Sequence, residues 1–62
     1  KWDLALADYA KGIALTPENP DPYLQRAKCY MEMGDTSKAR DDVQTAKRMG
    51  AFIDPLIFGD LN

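Results

Sequence analysis

Residues 20–51 decide the fold, and they read PDPYLQRAKCYMEMGDTSKARDDVQTAKRMGA. This stretch predicts two helices joined by a tight turn, because apolar and small side chains recur every three or four positions. That spacing places side chains on one face of a helix. These positions are Tyr23, Ala27 and Tyr30 in the first helix, and Ala39, Val43 and Ala46 in the second. The stretch therefore predicts an antiparallel helical hairpin.

The ends of these helices carry their own signals. We expect Asp21 to accept a hydrogen bond from the free amides of the first turn over residues 22–33. Gly34 and Gly50 can adopt the left-handed conformation that closes a helix. Asp35 or Thr36 is expected to cap the second helix, over residues 37–49.

Further helix is predicted on both sides of the hairpin. Residues 1–15, KWDLALADYAKGIAL, are dominated by Ala and Leu, which favour helix, and the following Pro17 ends it. Its apolar stripe is predicted at Trp2, Ala5, Tyr9 and Ile13. Residues 54–62 are expected to form only one or two turns. The apolar side chains of residues 51–62 must cover something, and those we expect to be covered are Phe52, Ile53, Ile57 and Phe58.

Composition narrows the class of protein. The chain has 62 residues, enough for one small domain, and 45% of them are hydrophobic, which is too many for a disordered chain. A net charge of −2 disfavours nucleic-acid binding, and no apolar run is long enough to cross a bilayer. The start at Lys1, inside a helical pattern, indicates an excerpt from a longer protein. A single cysteine gives no sign of disulfides, which predicts an intracellular, cytoplasmic protein and leaves an organelle open.

Catalytic chemistry is not evident in the sequence. It contains no histidine, no Gly-rich phosphate loop and no metal-ligand spacing. Cys29 lies inside a helical pattern and is interpreted as a packing residue. Asp41 and Asp42 are adjacent, so they point in different directions on a helix and are expected to lie on a solvated face. We therefore predict no enzyme activity, no cofactor and no metal.

An internal repeat connects the two ends of the chain. Stepping back 34 residues places Ala39 on Ala5, Val43 on Tyr9 and Ala46 on Gly12, which matches small with small and bulky with bulky. A 34-residue period of helix–turn–helix units resembles the tetratricopeptide repeat family. The positions that carry the resemblance are Tyr23, Ala27, Tyr30, Gly34-Asp35, Ala39, Val43 and Ala46, together with Ala5, Tyr9, Gly12 and Pro17 in the preceding copy.

The resemblance implies an all-α solenoid of antiparallel helical hairpins. Residues 1–16 would be the second helix of a preceding repeat, and residues 20–51 one complete repeat. Residues 54–62 would begin a following helix or a capping helix, giving about one and a half repeats plus a short C-terminal cap. The family pattern is broken by Arg26 in place of leucine, by Thr36 in place of an aromatic residue and by Ala51 in place of the closing proline.

The resemblance also implies a function. In this family the first helix of each unit lines a groove that holds a peptide or partner protein. On this chain the groove residues would be Asp21, Leu24, Gln25, Lys28, Met31 and Glu32. The implied partner is a protein or peptide, not a nucleic acid or a membrane, and the chain would belong to a longer array or a larger complex. The same side chains could instead simply face solvent.

Two further interpretations remain open. One subgroup of the family grips the terminal carboxylate of chaperone tails with Lys, Asn and Arg. Gln25 stands where such an Asn can lie, but an acidic Asp21 would repel the carboxylate. The other interpretation is a structural segment packed permanently within an assembly, which the apolar Leu24, Met31, Phe52 and Phe58 favour.

Overall fold

The computed structural model describes residues 1–61, with the backbone alone at residue 60. Its elements in chain order are α1 (Trp2–Leu15), α2 (Asp21–Met33), α3 (Thr36–Arg48), α4 (Pro55–Phe58) and a 3₁₀ turn (Gly59–Leu61). No strand occurs within residues 1–61. The predicted all-α fold of helical hairpins is confirmed. Residue 62, the last residue of the predicted fourth segment, lies outside the described residues.

The turn between α2 and α3 forms as its residues predict. Gly34 has a φ of 83°, which a side chain would disfavour, and its amide donates to the Met31 carbonyl at 3.1 Å. The Asp35 amide donates to the Tyr30 carbonyl at 2.9 Å. The Asp35 carboxylate accepts from the Lys38 amide at 3.2 Å, so Asp35 caps α3 and Thr36 is its first residue.

The core lies mainly between α2 and α3 and is built from small side chains. Ala27, Ala39 and Ala46 are fully buried, and Val43 is the largest side chain that is completely buried in the described part of the chain. Alanines at the contact let the two helices approach closely, since they add little bulk between the backbones. Cys29 is also buried and unpaired, in agreement with its interpretation as a packing residue.

Helix α1 packs against α2 but buries none of its residues. Ala5, Tyr9 and Ile13 are half-buried, as the predicted stripe requires, whereas Trp2 is exposed at the start of the helix. A Cβ atom placed on Gly12 would lie 3.4 Å from the Cγ atom of Pro22, close to van der Waals contact, so the start of α2 lies directly against this point of α1.

The start of α2 differs from the prediction. Pro20 occupies the position before the helix, and Asp21 is already its first residue. The acceptor near this end is the side chain of Asn19, which takes the Asp21 amide at 3.0 Å. The expectation that Asp21 caps α2 is therefore wrong. A side chain that caps belongs to a residue outside the helix, and Asp21 is inside it.

The C-terminal segment closes the core with a single helical turn. Ile53, Phe58 and Leu61 are buried against α2 and α3, and the Asp54 carboxylate caps α4 by accepting from the Leu56 amide at 2.9 Å. The expectation that Phe52 and Ile57 are covered is wrong, because Phe52 is 80% exposed and Ile57 is also exposed. One turn of helix can direct only part of this apolar run toward the core.

Candidate functional site

A groove runs between α2 and the segment that leads into α4. It has a volume of about 200 Å³ and opens to solvent. Its apolar wall consists of Leu24, Phe52, Ile57 and Phe58. Polar groups line the remainder, and these are Asp21, Gln25, Lys28 and Asp54. We call this feature the α2 groove.

Four of the six residues predicted to contact a partner meet in the α2 groove. Asp21, Leu24, Gln25 and Lys28 follow the i, i+3, i+4, i+7 spacing, so they share one face of α2. Met31 and Glu32 do not line the groove. Met31 is half-buried and packs against the core, while Glu32 is exposed one turn beyond Lys28.

The second wall of the groove was missed by the sequence-based selection. Phe52, Asp54, Ile57 and Phe58 come from a segment that we expected to form only a cap. The signal was nevertheless present, because Asp54-Pro55 repeats the Asp-Pro step that opens α2. That step predicts only the start of a helix, and its position across the groove from α2 depends on the packing of Phe58 and Leu61 on the core.

A buried ion pair lies on the other side of α2. The Arg26 Nε and Nη2 atoms each donate to an oxygen of the Asp42 carboxylate at 2.7 Å. Such two-pronged geometry is the strongest form of this pair. The Asp42 side chain is only 7% exposed and that of Arg26 24%. Our expectation of a solvated Asp42 is wrong.

The periodicity of α3 contained the signal for this pair. Asp42 lies three residues after Ala39 and four before Ala46, which places it on the buried face of α3. Arg26 likewise lies three residues after Tyr23 and four before Tyr30 on α2. Each charge therefore lies on the stripe by which its helix meets the other, and the two satisfy each other.

Aromatic rings complete the surroundings of Arg26. Its guanidinium carbon lies 5.6 Å from the centre of the Tyr23 ring and 5.9 Å from that of Tyr30, and the Lys38 ammonium lies 5.7 Å from the Tyr30 ring. These are cation–π distances. The hydrogen bonds to Asp42 raise the pKa of Arg26, against the opposing effect of burial. The pair is a structural element of the α2–α3 contact, since both carboxylate oxygens of Asp42 accept from the guanidinium of Arg26.

The α2 groove is smaller than typical binding sites for small organic molecules. Sites for small molecules commonly measure roughly 300–1,000 Å³, which exceeds the α2 groove. Among the described side chains, those of residues 1–59 and 61, no group of three or more from His, Cys, Asp or Glu is placed to hold a metal ion. In the same range, no helix combines the length and hydrophobicity needed to cross a membrane.

Comparison with known families agrees with the repeat pattern. A family model described as TPR repeat matches residues 1–34, which is just over half of the chain and spans α1, the connection and α2. No curated protein and no solved structure matches the chain.

Proposed function

Because this chain belongs to the tetratricopeptide repeat family, whose members are typically non-catalytic modules of protein–protein interaction, we propose that it binds a peptide or partner protein in the α2 groove. The observation that carries the proposal is the convergence of two independent segments on one apolar cleft. Asp21, Leu24, Gln25 and Lys28 approach it from α2, and the residues around α4 supply its second wall.

The proposal includes an assignment of the chain to repeat units. Residues 1–16 are the second helix of a preceding repeat, residues 20–51 one complete repeat, and residues 54–62 the beginning of a following or capping helix. The packing of α2 against both α1 and α3 supports this assignment, since an inner helix of a solenoid contacts neighbours on two sides.

A matched pair of variants tests the groove. Phe52 on its wall is 80% exposed, and Leu15 at the end of α1 is 76% exposed and lies outside it. Short random peptides displayed on phage are selected against the 62-residue chain, and a selected peptide is titrated by fluorescence anisotropy. We expect Phe52→Ser to weaken binding about tenfold, a loss of about 1.4 kcal/mol. Leu15→Ser should leave it unchanged. Equal effects of the two variants, or no selectable peptide, would contradict the proposal.

A structural segment packed permanently in an assembly is the second candidate. It is favoured by large apolar side chains that lie on several sides of the molecule, namely Leu4, Leu15, Phe52 and Leu56, which are 75%, 76%, 80% and 94% exposed. This candidate predicts that the isolated chain self-associates. Sedimentation velocity distinguishes the two candidates. A monomer that binds selected peptides supports the groove. Aggregation that Leu15→Ser and Phe52→Ser reduce equally supports permanent packing.

A further inference from the structure

We propose that the α2 groove selects partner segments in which a large apolar side chain is flanked by lysine or arginine. The inference rests on the proposed function and specifies the chemistry of its partner. It follows from the unbalanced charge of the groove and from the size of its apolar part.

Two carboxylates and one ammonium group line the groove. Asp21 and Lys28 stand at the two ends of the stretch of α2 that lines it, about 10.5 Å apart along the helix axis at 1.5 Å per residue. Asp54 adds a second carboxylate from the opposite wall. The groove therefore carries a net negative charge, and its one cation stands two helical turns from Asp21.

Neither carboxylate is neutralised by another side chain. The side-chain ion pairs Arg26–Asp42 and Lys38–Asp35 lie outside the groove walls, and neither of them involves Asp21 or Asp54. One oxygen of Asp54 accepts from the Leu56 amide at 2.9 Å, which leaves the charge of that carboxylate in place. Asp21 is exposed and Asp54 half-buried, and acids beside an apolar surface attract a cation from the partner and repel an anion.

The apolar part of the groove fixes the other half of the motif. Leu24, Phe52, Ile57 and Phe58 form the apolar wall of the groove. The whole groove, polar side included, measures about 200 Å³, which is enough for one large side chain and too little for a helix to enter. Phe58 is buried and holds the floor in place, whereas Phe52 and Ile57 are exposed and available for contact. An extended segment with one leucine or phenylalanine between basic residues satisfies both the shape and the charge.

Three labelled peptides of equal length test the inference. Each has one central leucine, flanked on both sides by lysine, by glutamine or by glutamate. Binding to the 62-residue chain is measured by fluorescence anisotropy. Circular dichroism verifies that the chain, and each substituted form of it used below, is helical. We expect the lysine peptide to bind about tenfold more tightly than the glutamine peptide near 0.1 M salt, with the preference shrinking near 1 M, where the screening length falls to about 3 Å. The glutamate peptide should bind most weakly.

A charge variant connects the preference to the groove. Asp21→Asn combined with Asp54→Asn removes both charges, and asparagine at residue 54 still caps a helix well. This variant should bind the lysine and glutamine peptides within about twofold of each other, whereas Asp8→Asn, an exposed acid on α1 away from the groove, should retain the tenfold preference.

The outcomes separate the two levels of the argument. Equal binding of all three peptides, with loss of binding when the leucine becomes alanine, overturns the charge preference and leaves the groove intact. A preference for the glutamate peptide also overturns it. Binding that does not depend on the leucine, or binding that Phe52→Ser leaves unchanged, overturns the proposed groove itself.

Discussion

Breaking the Arg26–Asp42 pair from one side should destabilise the fold more than removing it completely. Asp42→Ala leaves the guanidinium partly buried without its carboxylate, whose oxygens lie 2.7 Å from two of its nitrogens. Removing one partner of a fully buried pair costs roughly 3–5 kcal/mol. Since the Arg26 side chain is 24% exposed, water recovers part of that loss, and we expect about 2–3 kcal/mol.

Removal of the arginine alone should cost at least as much. Arg26→Leu restores the residue that is usual in the family. It also leaves the Asp42 carboxylate without its partner, although that side chain is only 7% exposed. The double variant Arg26→Leu/Asp42→Ala removes both charges. Its free energy of unfolding should lie within about 1 kcal/mol of that of the parent chain, because a buried pair can be replaced by apolar groups at little cost. The adjacent, exposed Asp41→Ala is the control and should change stability by no more than about 0.5 kcal/mol.

Urea unfolding followed by circular dichroism measures these differences. A chain of this length has a total stability of about 3–9 kcal/mol by the usual per-residue range. Each single variant loses a large share of that, so its free energy of unfolding is taken from the full unfolding curve and not from the midpoint alone. In thermal unfolding, the loss in Asp42→Ala corresponds to a Tm lower by about 8–24 °C. If the double variant loses the sum of the two single losses, the pair has no coupling and the reasoning fails.

The pH dependence of this pair has a defined sign. The pKa of Arg26 is raised in the folded chain, chiefly by its hydrogen bonds to Asp42. A cation with a raised pKa stabilises the fold fully below its unfolded pKa and loses that contribution only as the pH rises through the folded value. For an arginine both values are strongly alkaline, so the contribution of Arg26 should be constant near neutral pH. A step in the Tm between pH 6 and 9 that disappears in Arg26→Leu would contradict this assignment.

Three further substitutions test the packing, each by its Tm. Ala27→Phe inserts a ring at a fully buried contact and should cost on the order of 1–3 kcal/mol by overpacking, so an unchanged Tm would refute the α2–α3 pairing. Gly34→Ala forces a side chain into the left-handed region and should cost about 1 kcal/mol, whereas Gly59→Ala, at a helical φ of −53°, should be neutral. Phe58→Ala should cost about 3 kcal/mol and the exposed Leu56→Ala less than about 0.5, and equal losses would refute the closure of the core by α4.

Periodicity correctly predicted which residues are buried wherever the spacing of apolar side chains along a single helix is enough to assign its buried face. Ala27, Ala39 and Val43 are buried because their spacing along α2 and α3 places them on the facing stripes. The turn at Gly34 and the cap at Asp35 were equally predictable, since both depend on residues within four positions of each other. Local chemistry determined these features, so a local pattern was sufficient to find them.

Features that depend on segments distant in sequence were not predictable in this way. Phe52 lies in the connection between α3 and α4, where no helical period assigns a face, and its neighbour Ile53 takes the place in the core. The second wall of the α2 groove has the same origin. Its residues reach α2 only because Phe58 and Leu61 anchor the segment on the core, which is a tertiary effect.

The Arg26–Asp42 pair shows how a departure from a repeat pattern can itself predict a contact. Arg26 occupies a stripe position where the family usually has leucine, so its charge faces α3 and needs an acid there. Of the two adjacent acids on α3, only Asp42 shares the stripe of Ala39 and Ala46, because successive helical residues differ in direction by about 100°. The departure at Arg26 and the acid at Asp42 are therefore two halves of one contact between the helices. A charge on the buried stripe of one helix therefore predicts an opposite charge on the facing stripe of its neighbour. The double variant Arg26→Leu/Asp42→Ala tests whether each charge depends on the other for its contribution to stability.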